Sequence, residues 1–144
     1  MTTDDACDFC SIARGEDPAA EIIAQSDDWV AFFPRNPATP GHTLIITREH
    51  VRDLWAMNPG QGSALMMAVI QVGQAIERAL NPDGMNLISS AGSAAEQSVF
   101  HLHLHVVPRW RYDGFGQIWP TGSRFESVDL DNVGDRIRSE VERR

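Results

Sequence analysis

The sequence predicts an α+β domain in which an antiparallel sheet is joined by two main helices. Three observations carry that expectation. Five short runs are β-branched, aromatic or alternating; one long stretch has apolar residues at helical spacing; and a second such stretch lies at the C-terminus. A chain of 144 residues suits one domain, 1–144, with a single core.

The elements follow in order. A short helix is expected around Cys10–Arg14, stopped by Gly15. In "EIIAQSDDWVAFFPR", Glu21–Gln25 and Trp29–Phe33 are strand-like and Ser26–Asp28 makes the turn of a hairpin. The Pro/Gly loop Asn36–His42 feeds Thr43–Thr47, a β-branched run that suits a buried strand. Asn58 is a good N-cap and Pro59 a good first helical residue; Leu65, Val69, Val72, Ile76 and Leu80 follow at helical spacing until Asn81–Gly84 ends the helix. Met66, Ile70 and Gly73 widen its apolar face, as extra core or as a subunit interface. Met85–Ser90 reads as the next strand, and the small-residue loop "AGSAAEQS" leads into the last. The aromatic segment Trp110–Phe125 carries Trp110, Tyr112, Phe115 and Trp119, which suit stacking on a base or leaving group or, the reading favoured, packing on a partner subunit. Leu130, Val133, Ile137 and Val141 mark the C-terminal helix.

The formal net charge is −8, which argues against binding a nucleic-acid polymer and gives no attraction to anionic lipid. A small anionic substrate remains compatible, because a pocket can be locally positive. The longest apolar run, Ala64–Ile70, is far shorter than the roughly 20 residues a membrane span needs. The acidic start "MTTDDACDFC" is unlike a secretion signal, so a cytoplasmic location with reduced thiols is expected. Cys7 and Cys10 then read as a metal or redox pair rather than a structural disulfide.

The strongest chemical signal is "HLHLHVVPR", which places three of the five histidines at alternate positions. Side chains alternate along a strand, so Val99, His101, His103, His105 and Val107 share one face. Phe100, Leu102, Leu104 and Val106 share the other, the expected core face. Side chains two apart on a face lie roughly 6–7 Å from each other, close enough for neighbouring imidazoles to converge on one ligand. Two readings follow from the residues alone. The row is a catalytic zinc site, with His-x-His plus another ligand. Or one imidazole is a nucleophile toward phosphorus, its partners holding phosphate oxygens and passing a proton.

These residues resemble the histidine triad (HIT) signature, in which three histidines alternate with apolar residues. "CDFCSIARGEDPA", "WVAFF", "NPATPGHTLIITREHVRDL", "MNLISSAG" and "QSVFHLHLHVVPR" are similar to the blocks of that family in the same order, over about residues 7–109. Residues 110–144, the aromatic loop and tail helix, lie beyond them. The resemblance implies a HIT-like sheet of about five strands, usually a homodimer, that hydrolyses or transfers nucleotidyl groups from small nucleotides. It implies His103 as the nucleophile forming a covalent nucleotidyl-histidine, His105 on the phosphate, and His42 as the histidine that orients the nucleophile. Gln97 and Ser98 match residues on the phosphate and leaving-group side. An oriented second imidazole can fix a tautomer as a carboxylate does in a serine hydrolase, and this chemistry requires no metal.

Cys7-x-x-Cys10 is half of a structural zinc spacing. The redox alternative needs the pair at a helix start after a strand, which its place at the N-terminus disfavours. The resemblance supplies the other two ligands, His50 and His101, giving a closed structural zinc site that braces the triad strand. Three positions depart from the family pattern. Pro34 stands where an Asp or Asn binds the ribose hydroxyls, Ser90 where an Asn is common, and Glu96 where a small residue, usually Gly, precedes Gln97. They leave the phosphorus chemistry intact and the nucleoside preference open. Two other readings follow: a nucleotide-binding or interaction module with little turnover, and a zinc hydrolase using the triad as ligands.

Overall fold

The computed structural model describes residues 6–122, 125 and 127–143. Its elements are α1 (Asp8–Ala13), β1 (Ile22–Gln25), β2 (Trp29–Phe32), β3 (Thr43–Thr47), α2 (Pro59–Leu80), β4 (Gly84–Ser89), β5 (His103–Arg109) and α3 (Leu130–Val141). The five strands form one antiparallel sheet in the order β1-β2-β3-β5-β4. Among the described residues no helix is long and apolar enough to cross a membrane.

β3 is buried along its whole length, because both faces of the sheet are covered there. Ile45 points into a core with Trp29, Ala31, Leu104 and Val106, closed by Leu65, Ala68, Val72 and Ile76 of α2. Leu44 and Ile46 point the other way, into a smaller core with Val30, Phe32, Ile12 and Ala13 under α1. Opposite Leu44 and Ile46 in the register stand His105 and His103. The two catalytic candidates on β5 therefore project from the α1 side of the sheet, while Leu104 and Val106 anchor the strand beneath them.

α2 begins as its sequence dictates. The Asn58 side chain accepts from the Gln61 N–H at 2.9 Å, and Gln61 Oε1 accepts from the Asn58 N–H at 3.0 Å, so two orphan donors are satisfied reciprocally. Asn81 closes the helix in the left-handed region, with its N–H on the Glu77 carbonyl. Of the residues that widen the apolar face, Gly73 is buried but Met66 and Ile70 are half exposed. Ile70 and Gly73 line a shallow groove of about 280 Å³ with Met85 and Leu87 of the edge strand β4.

Two expectations need adjustment. α1 starts earlier than Cys10–Arg14, with Cys7 as its N-cap, so both cysteines belong to one helical turn. The pair is thus at a helix start, although among the described residues no strand precedes it. Phe100 is not in the core. β5 begins only at His103, and Phe100 is half exposed in the bend before it. The aromatic segment forms no regular element in its described part: Tyr112 and Trp119 are exposed, and Phe115 lies under the Arg109 guanidinium at 4.2 Å. α3 forms at the expected stripe, but Leu130, Ile137 and Val141 are not covered by the chain's own core.

Candidate functional site: a split row of histidines

The structure divides the row between two environments. His101 precedes β5, is fully buried, and turns toward the cysteines. His103 and His105 open β5 and face His42, with ring centroids 5.0 Å apart between His103 and His105 and 5.2 Å between His42 and His105. Phe9 of α1 covers the junction, its ring 5.1 Å from His103 and 5.5 Å from Phe32 in edge-to-face contacts.

The hydrogen bonds fix the tautomers of His103, His42 and His105. His103 Nδ1 lies 2.7 Å from the His101 carbonyl, which can only accept, so Nδ1 carries the proton and Nε2 keeps its lone pair. The Ala38 N–H donates to His42 Nδ1 at 3.0 Å, so the proton of His42 is on Nε2. That Nε2 is 2.9 Å from His105 Nδ1 and donates to it, which leaves the His105 proton on Nε2. The row thus presents a lone pair at position 103 and a donor at position 105. His42 accordingly acts on His105 and not on His103; the backbone carbonyl of His101 holds the nucleophile candidate. Family spacing alone does not show this, because residues 42 and 105 meet only through β3–β5 pairing.

Burial holds all three rings neutral. It lowers the pKa of His42 and, opposed by the His101 carbonyl, that of His103. His105 is pushed down to about 4 by burial and then by the neighbouring His103 and His42 charges. At pH 7 the group is therefore an uncharged ring with a free lone pair beside an uncharged donor.

Gly41 sets His42 in place. Its φ is +86°, a left-handed backbone that side chains rarely adopt, and an added Cβ would also press on the tip of the Leu80 side chain and lie 3.3 Å from Pro108 Cγ. The segment before the triad is equally fixed. Gln97 is buried; its Oε1 accepts from the Gly92 N–H at 2.8 Å and its Nε2 donates to the Arg52 and Val99 carbonyls at 2.8 and 3.1 Å. The Gln97 amide is thus committed to shaping the loop, while Ser98 beside it is exposed. Glu96 adopts φ +66°, the left-handed region that glycine occupies without strain. Pro34 follows β2 by two residues and offers neither an N–H nor a polar side-chain atom.

The second environment unites Cys7, Cys10, His50 and His101, whose ligand atoms all lie within 4.8 Å of one another. Cys10 Sγ is 3.2 Å from His50 Nδ1 and 3.4 Å from His101 Nδ1, and Cys7 Sγ is 3.6 Å from His101 Nδ1. Edges of roughly 3.3–3.8 Å are those of a tetrahedron with metal–sulfur and metal–nitrogen bonds of about 2.3 and 2.0 Å. His101 Nε2–H donates to the Thr47 carbonyl at 2.8 Å, which turns the Nδ1 lone pair toward the thiols. These four residues fit a structural zinc ion. Among the described residues they are the group able to hold a metal, and neither His103 nor His105 belongs to it.

Sequence reasoning missed two contributors. Phe9 gave no signal beyond its place between the cysteines. Asp53, 4% exposed, accepts from the Trp55 and Ala56 N–H groups and from Arg52 Nε, and so holds the segment whose carbonyl Gln97 binds. An Asp before "LW" was its available cue.

Comparison with known proteins agrees with this architecture. The HIT domain model matches residues 14–111. The chain belongs to the HIT family, in the branch with an N-terminal Cys-x-x-Cys. It is 33% identical over 133 residues to Protein hit of Bacillus subtilis, covering 91% of each chain. It is 34% identical over 143 residues to adenylylsulfatase HINT3 of Arabidopsis thaliana, covering 99% of this chain and 71% of that protein. A third relative is adenosine 5′-monophosphoramidase hnt1 of Schizosaccharomyces pombe, 26% identical over 137 residues, covering 94% and 98%. Among solved structures, a HIT family protein from Bacillus anthracis superposes with a TM-score of 0.85 at 31% identity, covering 97% and 98%. A Zn-bound histidine triad family protein from Mycobacterium smegmatis superposes with a TM-score of 0.72 at 34% identity, covering 86% and 88%.

Proposed function

We propose that the protein is a nucleotidyl hydrolase or transferase that acts through a covalent nucleotidyl-histidine at His103, on a nucleoside phosphoramidate, phosphosulfate or dinucleoside polyphosphate. The observation that carries this reading is the tautomer of His103: Nδ1–H is held by the His101 carbonyl, so Nε2 presents its lone pair. Nε2 attacks the α-phosphorus, and the bond to the leaving group breaks with its electron pair going to that group. An amine leaves with the proton it carries on nitrogen, while His105 Nε2–H donates a hydrogen bond to a phosphate oxygen. Water then attacks phosphorus, the P–N bond breaks back to His103, and the water's proton passes to solvent. Imidazole leaves readily because it need not depart as an anion. His42 keeps the His105 donor pointing outward, and Ser98 faces the leaving group.

Cys7, Cys10, His50 and His101 would hold zinc, which when bound ties α1 to the start of β5 and supplies no reactive water. Reduced thiols there suit a cytoplasmic protein. A homodimer is proposed on the apolar groove between α2 and β4, where Ile70 and Leu87 remain exposed.

Brief exposure to adenosine 5′-phosphoramidate followed by intact-protein mass measurement tests the reading. A nucleotidyl adduct is expected in the wild type and not in His103→Ala; an adduct of equal yield in both would falsify it. Pro34 and Glu96 favour a second reading, a nucleotide-binding module with little turnover, for which binding persists and no adduct forms.

A further inference from the structure

Three arginines lie on the segments that follow β3 or end β5, and they are used differently. Arg48 spends its guanidinium on the Ser26 and Ala13 carbonyls and Gln25 Oε1. Arg109 spends its own on Asp113, Asn86 and the Gly116 carbonyl. Arg52 is tied only at Nε, 2.7 Å from Asp53 Oδ2; its side chain is 67% exposed, and among the described residues neither Nη has a partner. It lines an open cleft of about 550 Å³ with Ser98, Phe100, His50, Cys7 and Asp8. The backbone joins this cleft to the triad. The Arg52 carbonyl holds Gln97, the Val51 carbonyl receives the Leu102 N–H at 2.6 Å, and Ser98 lies between them.

We infer that this cleft is the leaving-group subsite and that Arg52 selects an anionic leaving group, a sulfate or a second nucleotide's phosphate. The inference rests on the reading of His103 given above. Leaving groups make different demands: an amine departs uncharged, whereas sulfate or phosphate departs as a stable anion and needs a cation to receive it. A chain of net charge −8 repels a polyanion unless a cation is placed at the point of contact. Asp53 fixes the Arg52 guanidinium at one edge and leaves the other edge to bind oxygens in a forked geometry. Asp8, the carboxylate lining the cleft, is exposed in the first turn of α1. The P–O bond breaks with its electron pair on the departing oxygen, and no further co-reactant is required.

The test compares adenosine 5′-phosphosulfate with adenosine 5′-phosphoramidate on the zinc-loaded full chain. Arg52→Ala is expected to lower the ratio of kcat/KM, phosphosulfate over phosphoramidate, by about 10- to 100-fold, as for loss of a charge-assisted hydrogen bond. Arg52→Lys should recover part of the ratio, and Arg78→Ala on α2 should keep the wild-type value. If Arg52→Ala does not fold, Arg52→Gln carries the same expectation, since it is neutral and can still donate toward Asp53. A ratio unchanged in these variants, with normal adduct formation, overturns the role of Arg52 alone. A wild type that forms no adduct with either compound overturns the reading of His103 as well.

Discussion

His101 and His103 lie two residues apart on one segment, yet they hold opposite tautomers. His101 gives its Nε2–H to the Thr47 carbonyl and turns Nδ1 to the thiols. His103 gives its Nδ1–H to the His101 carbonyl and turns Nε2 to the open site. Nothing in the side chains distinguishes them; the position of one backbone oxygen does. A row of identical residues thus becomes a corner able to hold a metal and an imidazole with a free lone pair through its surroundings, and each half can be broken separately.

The largest effect is expected at the nucleophile. His103→Ala should lower kcat by at least about 1,000-fold with little change in melting temperature, measured by steady-state kinetics and calorimetry. The metal corner should respond the other way. Cys10→Ser or prolonged chelation should lower the melting temperature by roughly 10 °C or more and reduce the chemical step of the protein that remains folded by less than about tenfold. Equal loss in both quantities would show that the halves are not separable.

His42 connects to the comparison through His105. His42→Ala should cost about 10- to 100-fold in kcat, because His105 loses the donor that fixes its tautomer. The same pair gives a pH signature. The folded pKa of His105 is depressed to about 4 and that of His42 is lowered, so the unfolded chain binds more protons below about pH 6.5. Stability should therefore fall as pH drops from about 6.5 toward 4, by of order 1–3 kcal/mol, and His105→Asn should flatten that slope in denaturant titrations. The smallest effect is expected at Glu96→Gly, which removes both a left-handed non-glycine and a carboxylate beside the phosphate loop. A rise in kcat/KM of about two- to fivefold and a stability change within about 1 kcal/mol are expected.

What was legible in the sequence was local. Asn58-Pro59 announced α2 because capping is decided within four residues, and Thr43–Thr47 announced β3 because a run of five residues with four β-branched ones suits a strand covered on both sides. The four cluster residues and the three site histidines were also named from the sequence and its family resemblance. What was not legible depended on contacts distant in the chain. The partner of His42 lies 63 positions away, and the Gln97 amide is claimed partly by a carbonyl 45 positions back. The start of α1 was missed because Cys7 makes no side-chain cap, so no polar residue marked the boundary. Phe100 was misplaced because alternation was extended past the true start of β5, where the Leu102 N–H leaves the ladder for Val51.

The oxygen that aligns His103 belongs to the peptide unit of residue 101, and every amino acid has one. Replacing the imidazole at 101 can therefore empty the cysteine corner without deleting the atom on which the neighbouring ring depends. The two corners are in this sense inheritable apart: a descendant that discards its thiols keeps the free lone pair of its second triad histidine so long as the chain follows the same path.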